Sequence, residues 1–357
     1  MIRFAVLWVV IVLALCGLFL FKKLHILDRP WADIAWTRKP VPTLQGVFVY
    51  LIFLAVLGIF FHDYFANSVI QGFLIWWSLI FFVELITELD YIGKIHFKIS
   101  PLVRFFFHCI AACLTLYFSH INVPELPFFW DLDLPEWLFY LIFVGWSVFI
   151  INAVNWIDWI YAQGNGVLSI WFFTLFLLIK FVVFESYDSF PNYDTLLLVQ
   201  NLSLVLGIIS LVYTVIEFKP LGLIRDVGTM FLAFWLAYLS LLWWAKIGTL
   251  IVTLSLVIFD AIWIILYRIF VLKKNPMKGD YTHLHHRLLW LWWTRGEVRA
   301  FVRIFSLLMM VLILLQGTNR IHKLIIFSLM ALIFFWINTY LFIYKKLPCG
   351  LKKEKTE

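Results

Sequence analysis

Residues that could do chemistry gather in a few short stretches of an otherwise apolar chain. Residues 279–288 read Gly-Asp-Tyr-Thr-His-Leu-His-His-Arg-Leu. His283, His285, His286 and Arg287 form a compact cationic cluster of the kind that holds phosphate through charge-assisted hydrogen bonds. As metal ligands the histidines are weaker candidates, because they lack the one-face helical spacing and carboxylate of a zincin. A solvated interfacial loop is the plain alternative. Residues 152–166 read Asn-Ala-Val-Asn-Trp-Ile-Asp-Trp-Ile-Tyr-Ala-Gln-Gly-Asn-Gly. Asn152, Asn155 and Asp158 recur every third residue and share a face at a helix end. Oxygen ligands of this type suit a hard cation such as Mg²⁺, although Asn and Asp equally cap helices. Asp226, in Arg-Asp-Val-Gly-Thr at 225–229, either caps a helix or offers a carboxylate to a cation. Asp90, with Glu84 and Glu88 upstream, closes an apolar run. A carboxylate there serves as a base or orients a phosphate, or simply ends the helix. Lys39, in Arg-Lys-Pro-Val-Pro-Thr-Leu-Gln-Gly at 38–46, is an anion ligand or part of a general basic bias. Asp260 and Arg268 lie eight residues apart, near one helix face, and read as a structural or loop-orienting pair.

The elements that must position these groups are membrane helices. Of 357 residues, 64% are apolar and 14% charged, and the mean hydropathy is +0.96. A soluble domain is about half apolar and about a quarter charged, so a single soluble domain is excluded. Eleven apolar runs approach the length of about 20 residues that a bilayer requires. They cover 2–21, 46–61, 68–87, 102–121, 136–154, 166–185, 197–216, 228–245, 249–271, 301–317 and 324–344. The first is too long and too apolar at its end for a cleaved signal. With the N-terminus outside, the inner segments carry 22 Lys and Arg and the outer segments four, which follows the positive-inside rule. That rule, rather than nucleic-acid binding, accounts for the net charge of +7. The expected fold is all-α and polytopic, with about 11 transmembrane helices, N-terminus outside and C-terminus cytoplasmic. One transmembrane domain spans 1–345 and a basic cytoplasmic tail 346–357. The polar stretches fall on the inner face. The four cysteines show no metal-ligand spacing and read as packing residues.

Taken in order, these stretches resemble the polyprenyl-phosphate N-acetylhexosamine-1-phosphate transferases, related to the phospho-N-acetylmuramoyl-pentapeptide transferases, from about residue 28 to about 305. Lys39 to Gly46 is similar to the family's Lys-Gly-Thr-Pro-Thr-Met-Gly-Gly segment. Asp90 followed by Ser100-Pro101-Leu102-Val103-Arg104 resembles its Asp-Asp motif with a following Ser-Pro and Arg. Asn152, Asn155 and Asp158 fit Asn-x-x-Asn-x-x-Asp-Gly-x-Asp-Gly. Asp226, Gly228 and Thr229 fit Gly-Asp-x-Gly-Ser, and Asp260 and Arg268 fit a ninth-helix Asp and Arg. His283, His285 and His286 fit the His-x-His-His of the GlcNAc-phosphate branch.

The resemblance implies transfer of a sugar-1-phosphate, GlcNAc-1-phosphate by branch, from a UDP-sugar to polyprenyl (undecaprenyl) phosphate. UMP is released and a lipid-linked cell-envelope glycan is begun at the cytoplasmic face of the inner membrane. It implies Mg²⁺ on Asn155 and Asp226, and catalytic roles for Asp90, Asp158, His283, His285 and His286. Lys39, Asn152 and Arg287 then bind substrate. The partners are the two substrates and the bilayer, with no nucleic acid; a homodimer stays open. A meeting of anions needs charge neutralisation and alignment above all. The chain departs from the pattern at several positions: the Asp-Asp pair is reduced to Asp90, the second Asp of the Asn-rich motif falls on Tyr161, and Arg225 and Trp159 stand where the family has glycine. Trp292 also stands at a glycine position. Gly is scarce (16) and Trp abundant (19), a pattern expected if some UGA codons meant glycine. The lost carboxylates keep a second reading open, an impaired relative that binds lipid phosphate or acts as a scaffold. A transporter ranks last, because the polar groups cluster at one face.

Overall fold

The computed structural model describes residues 2–28, 40–119, 135–183, 193–242, 247–273, 275, 282–316 and 320–341. Among them there is no β-strand. The described residues form thirteen α-helices in chain order: α1 Ile2–Lys23, α2 Gln45–Phe60, α3 Ser68–Tyr91, α4 Pro101–Ser119, α5 Glu136–Ile157, α6 Gln163–Leu178, α7 Tyr193–Phe218, α8 Arg225–Leu242, α9 Ile247–Thr253, α10 Ser255–Leu266, α11 Leu284–Trp290, α12 Arg295–Gln316 and α13 Arg320–Thr339. Nine of the described helices are long and apolar enough to cross a membrane. They match nine of the eleven apolar runs. The run at 46–61 forms the 16-residue α2. The run at 249–271 is divided into α9, α10 and a π-turn at Tyr267–Val271. Continuous hydrophobicity therefore does not make a continuous helix there. Leu254, between α9 and α10, sits near φ −87° and ψ 0°, outside helical geometry.

The chain divides into two compact units, Met1–Ile247 and Gly248–Glu357. In the first, α8 is the axis. It packs on α2, α3, α5, α6 and α7, and 83% of its most apolar window is buried. That burial suits a helix that is apolar all round. Its C-terminal half joins an aromatic core in which the Phe73 and Trp235 rings stack at 3.7 Å, with Phe231, Phe234 and Tyr238 around them. Tyr238, deep in this core, gives its hydroxyl proton to Ser119 at 2.6 Å, so the buried phenol is satisfied.

Close approach needs small residues at one crossing. A methyl group on Gly46, at the start of α2, would run into the backbone of Gly228 in α8. With that gap closed, Gln45 N–H donates to Leu223 O at 3.0 Å and Gly46 N–H to Ile224 O at 3.2 Å. Leu223 N–H returns a bond to Pro42 O at 2.9 Å. Asp28, which is buried, accepts Val41 N–H at 2.8 Å. Residues 41–46 are thus fixed against the loop that starts α8.

In the second unit, α10 packs on α13 through Phe259, whose ring lies 4.9 Å from Phe327 and 5.7 Å from Phe334. Lys323 of α13 is buried and donates to Thr249 at 2.8 Å. α12 opens with a capping box: Thr294 Oγ1 accepts Glu297 N–H at 3.2 Å, and Glu297 accepts Thr294 N–H at 2.7 Å.

Candidate functional site

In the first unit, the ends of α3, α4, α5, α6 and α8 bring together residues far apart in the chain. Asp158 follows the last turn of α5. Its carboxylate accepts Thr229 Oγ1–H at 2.7 Å and Gly164 N–H at 2.9 Å. The Asn-rich stretch and the Asp226 stretch, 71 residues apart, therefore form one surface. A methyl group on Gly164 would clash with the Asp158 side chain, so glycine is required for this contact. Burial, then the Glu217 carboxylate, push the Asp158 pKa well above the usual carboxylate range, against the pull of its two hydrogen bonds.

Asp226 lies in the first turn of α8, where a carboxylate complements the helix dipole. Its Oδ2 accepts Arg104 Nη2–H at 2.9 Å. The same guanidinium forks onto Glu84, with Nε to Oε1 at 3.0 Å and Nη2 to Oε2. Glu88, one turn after Glu84, accepts Asp226 N–H at 3.3 Å and Arg225 Nε–H at 3.2 Å. The Arg225 guanidinium also stands 4.4 Å from the Tyr91 ring centre. Behind this layer, buried Glu217 accepts Asn165 Nδ2–H at 2.8 Å and Ile224 N–H at 2.9 Å, which holds the loop that leads into α8.

The remaining sequence candidates of this unit are placed as follows. Asn155 is half-buried on the last turn of α5, and its carbonyl accepts Asp158 N–H at 3.2 Å. Asn152 turns its amide back onto Val148 O at 2.8 Å. Asp90 closes the turn after α3 by accepting Phe97 N–H at 3.1 Å, while Glu84 and Glu88 of the same helix reach the Asp226 cluster. Lys39 lies outside the described residues. Glu217 was not a candidate from sequence; the usable signal was a carboxylate at the end of a long apolar run, since ionisable residues at membrane depth are functional candidates by default.

The second unit holds the histidines. Asp260 on α10 is the pin: it accepts His283 Nδ1–H at 2.9 Å, Leu284 N–H at 2.9 Å and Arg287 Nη2–H at 2.8 Å. Arg268 lies 3.5 Å from His283 Nε2 and 3.4 Å from Thr282 Oγ1. Asp260 and Arg268 therefore orient the loop, the role that their spacing suggested. The His285 and His286 rings stand 4.1 Å apart. Burial, then the charges of His286, His283 and Arg287, hold the His285 pKa well below its ordinary value. A row of imidazoles beside a guanidinium is equipped to receive an anion.

Three glycine positions of the resembled motifs keep a glycine-like backbone without a glycine. Ala162, which follows Tyr161, has φ 62°, Arg225 has φ 58° and Trp292 has φ 70°. Trp292 ends α11 in a Schellman turn, with Trp293 N–H to Leu288 O at 3.2 Å and Trp292 N–H to Leu289 O at 3.1 Å. Trp159 is not in the left-handed region.

The donor set fits Mg²⁺. That ion takes one or two carboxylates and completes its shell with waters and substrate phosphates. Asp226 is 30% exposed and has one carboxylate oxygen engaged by Arg104. Among the described residues no group of three or more His, Cys, Asp or Glu could hold a metal.

No protein-family model matches the chain. It is 29% identical over 205 residues, 54% of this chain and 52% of the relative, to a "Probable undecaprenyl-phosphate N-acetylglucosaminyl 1-phosphate transferase" of Bacillus subtilis (strain 168). The chain spans about half the length of that relative. The similarity supports the family resemblance carried by the motifs.

Proposed function

From that similarity and the carboxylate cluster around Asp226, we propose that this multi-pass membrane protein moves a sugar-1-phosphate from a UDP-sugar to polyprenyl phosphate and releases UMP. The sugar is GlcNAc on the form of the histidine motif. The observation that carries the reading is the union of Asp158 with Thr229 at 2.7 Å, beside Asp226 and its Arg104 partner. Two motifs with no local reason to meet share one polar surface at the ends of membrane helices. We place that surface on the cytoplasmic side of the inner membrane, following the Lys and Arg distribution.

The chemistry is displacement at phosphorus. A lipid phosphate oxygen attacks the phosphate that bears the sugar, a phosphorus–oxygen bond to UMP breaks, and UMP departs with the electron pair. Mg²⁺, held by Asp226 and Asn155, would neutralise the pyrophosphate and the departing charge. Asp158 and Thr229 fix the α5–α6 turn against α8. Glu88 binds the first turn of α8, which leaves Asp226 facing outward. On the motif resemblance, Asp90 would handle the lipid phosphate and Asn152 the nucleotide sugar. In the second unit, His285, His286 and Arg287 hold phosphate, while His283 is clamped by Asp260. Lys39 contributes a further cation toward the nucleotide.

The test is UMP release from UDP-GlcNAc by the purified chain with undecaprenyl phosphate and Mg²⁺. Activity is expected, and Asp226→Asn should lower it by about 100-fold or more, the scale of losing a group aimed at transition-state charge. Equal activity of the Asn variant across a Mg²⁺ titration would remove Asp226 from this role. No turnover, with lipid-phosphate binding intact, would favour the impaired-relative reading, which the Tyr161 substitution motivates.

A further inference from the structure

We propose that Glu84 is a positioning residue which, through Arg104, sets how much negative charge Asp226 presents to a divalent cation. This rests on the metal role given to Asp226 above. Glu84 is fully buried on α3. It takes two donors of the Arg104 fork, and His108, one turn further along α4, reaches its Oε1 at 2.9 Å. The same Arg104 nitrogen that meets Glu84 also meets Asp226 at 2.9 Å. One guanidinium is thus shared between two carboxylates, one sealed inside the helix bundle and one facing the site.

The sharing has an electrostatic consequence. An arginine carries one fixed positive charge and is always protonated. With Glu84 ionised, that charge is balanced from behind, and Asp226 keeps its own charge for a cation. If a neutral side chain replaces Glu84, the whole Arg104 charge faces Asp226 and opposes any cation bound there. If a neutral side chain replaces Arg104, Asp226 and Glu84 together attract a cation more strongly. A residue that only holds α3 to α4 makes a different demand: removal of either partner loosens the site, and both losses have the same sign.

The measurement is direct binding of Mn²⁺, as a probe for Mg²⁺, to the full chain in detergent by electron paramagnetic resonance titration. Binding sensitive to Asp226→Asn defines the site. A buried unit charge a few Å away shifts a neighbour's charge equilibrium by about one to three powers of ten. Glu84→Gln should therefore weaken Mn²⁺ binding by about tenfold, the low end of that range. Arg104→Gln should tighten it, and the double variant should return close to wild type. Weakening by both single variants, with the double variant weaker still, would overturn the proposal in favour of a purely structural contact. Unchanged binding in Glu84→Gln would also overturn it. If either single variant fails to fold, the double variant, which buries no unpaired charge, decides alone: near-wild-type affinity supports the proposal and lost affinity ends it. Absence of any Asp226-dependent Mn²⁺ binding in the wild type would instead defeat the metal reading itself, and the inference with it.

Discussion

At the scale of single residues, the chain keeps backbone conformations that its side chains do not suit. Trp292 holds φ 70° at the end of α11, where glycine is the usual occupant. A left-handed residue with a Cβ costs about 1–2 kcal/mol. The same turn at the end of α3 is made by Gly93 at φ 71°, with Lys94 N–H to Leu89 O at 2.9 Å. Trp292→Gly should therefore raise stability by about 1 kcal/mol, read as a higher melting temperature in detergent, and Trp159→Gly should not. A gain at Trp292 would also suit the glycine-codon reading, which UGG at that codon would exclude. His285 supplies a pH dependence. Its pKa is lowered from 6.5 by burial and neighbouring cations, so the folded state binds fewer protons there than the unfolded chain. The associated stability is present above pH about 6.5 and is lost as pH falls below it. Melting temperature should drop on acidification from pH about 7 to about 5, and His285→Gln should flatten that drop; an equal drop in both would exclude His285 as its source.

At the scale of elements, one crossing controls the site. Gly46 and Gly228 let α2 and α8 touch, and that contact keeps Gln45 and Gly46 bonded to Leu223 and Ile224, just ahead of Arg225 and Asp226. Gly46→Ala should cost about 1–3 kcal/mol through overpacking and should reduce UMP release with it. Gly145→Ala, inside α5 where an added methyl meets nothing within 4 Å, should instead raise stability by about 0.5–1 kcal/mol and leave UMP release unchanged. The helices themselves were legible in the sequence, because bilayer thickness demands long apolar runs and nine of the described helices answer that demand. The break between α9 and α10 was not legible, since an apolar run has the same composition whether its helix is straight or interrupted. The π-turn that follows α10 places Arg268 beside Thr282 and His283, so both residues of the eight-residue spacing meet the loop at His283.

At the scale of the whole molecule, what could not be read is pairing. Asp158, Asp226 and the histidines stood out because polar residues are rare in so apolar a chain. Nothing local indicated that Arg104 would meet Asp226 across 122 positions, or that Glu217 would hold Asn165. Such contacts are set by how helices pack, and the sequence pattern records only that each helix is apolar. Arg225, at a glycine position of the resembled motif, and Glu88, two residues before Asp90, find each other across 137 residues. Each compact unit carries its own polar cluster, carboxylate-rich in Met1–Ile247 and histidine-rich in Gly248–Glu357.

The spacing of the two glutamates on α3 also sets a timetable for biogenesis. Glu84 finds its arginine only 20 residues later, in the neighbouring helix, so a nascent hairpin of α3 and α4 can neutralise it as soon as both have left the ribosome. Glu88 must wait for Arg225, 137 residues downstream. At about 5–20 residues per second, that interval is roughly 7–27 s of translation. During it, Glu88 lacks the arginine that will be its counter-charge. The ribosome thus delivers one half of this ion pair well before the other, and the nascent site closes only once α8 has arrived.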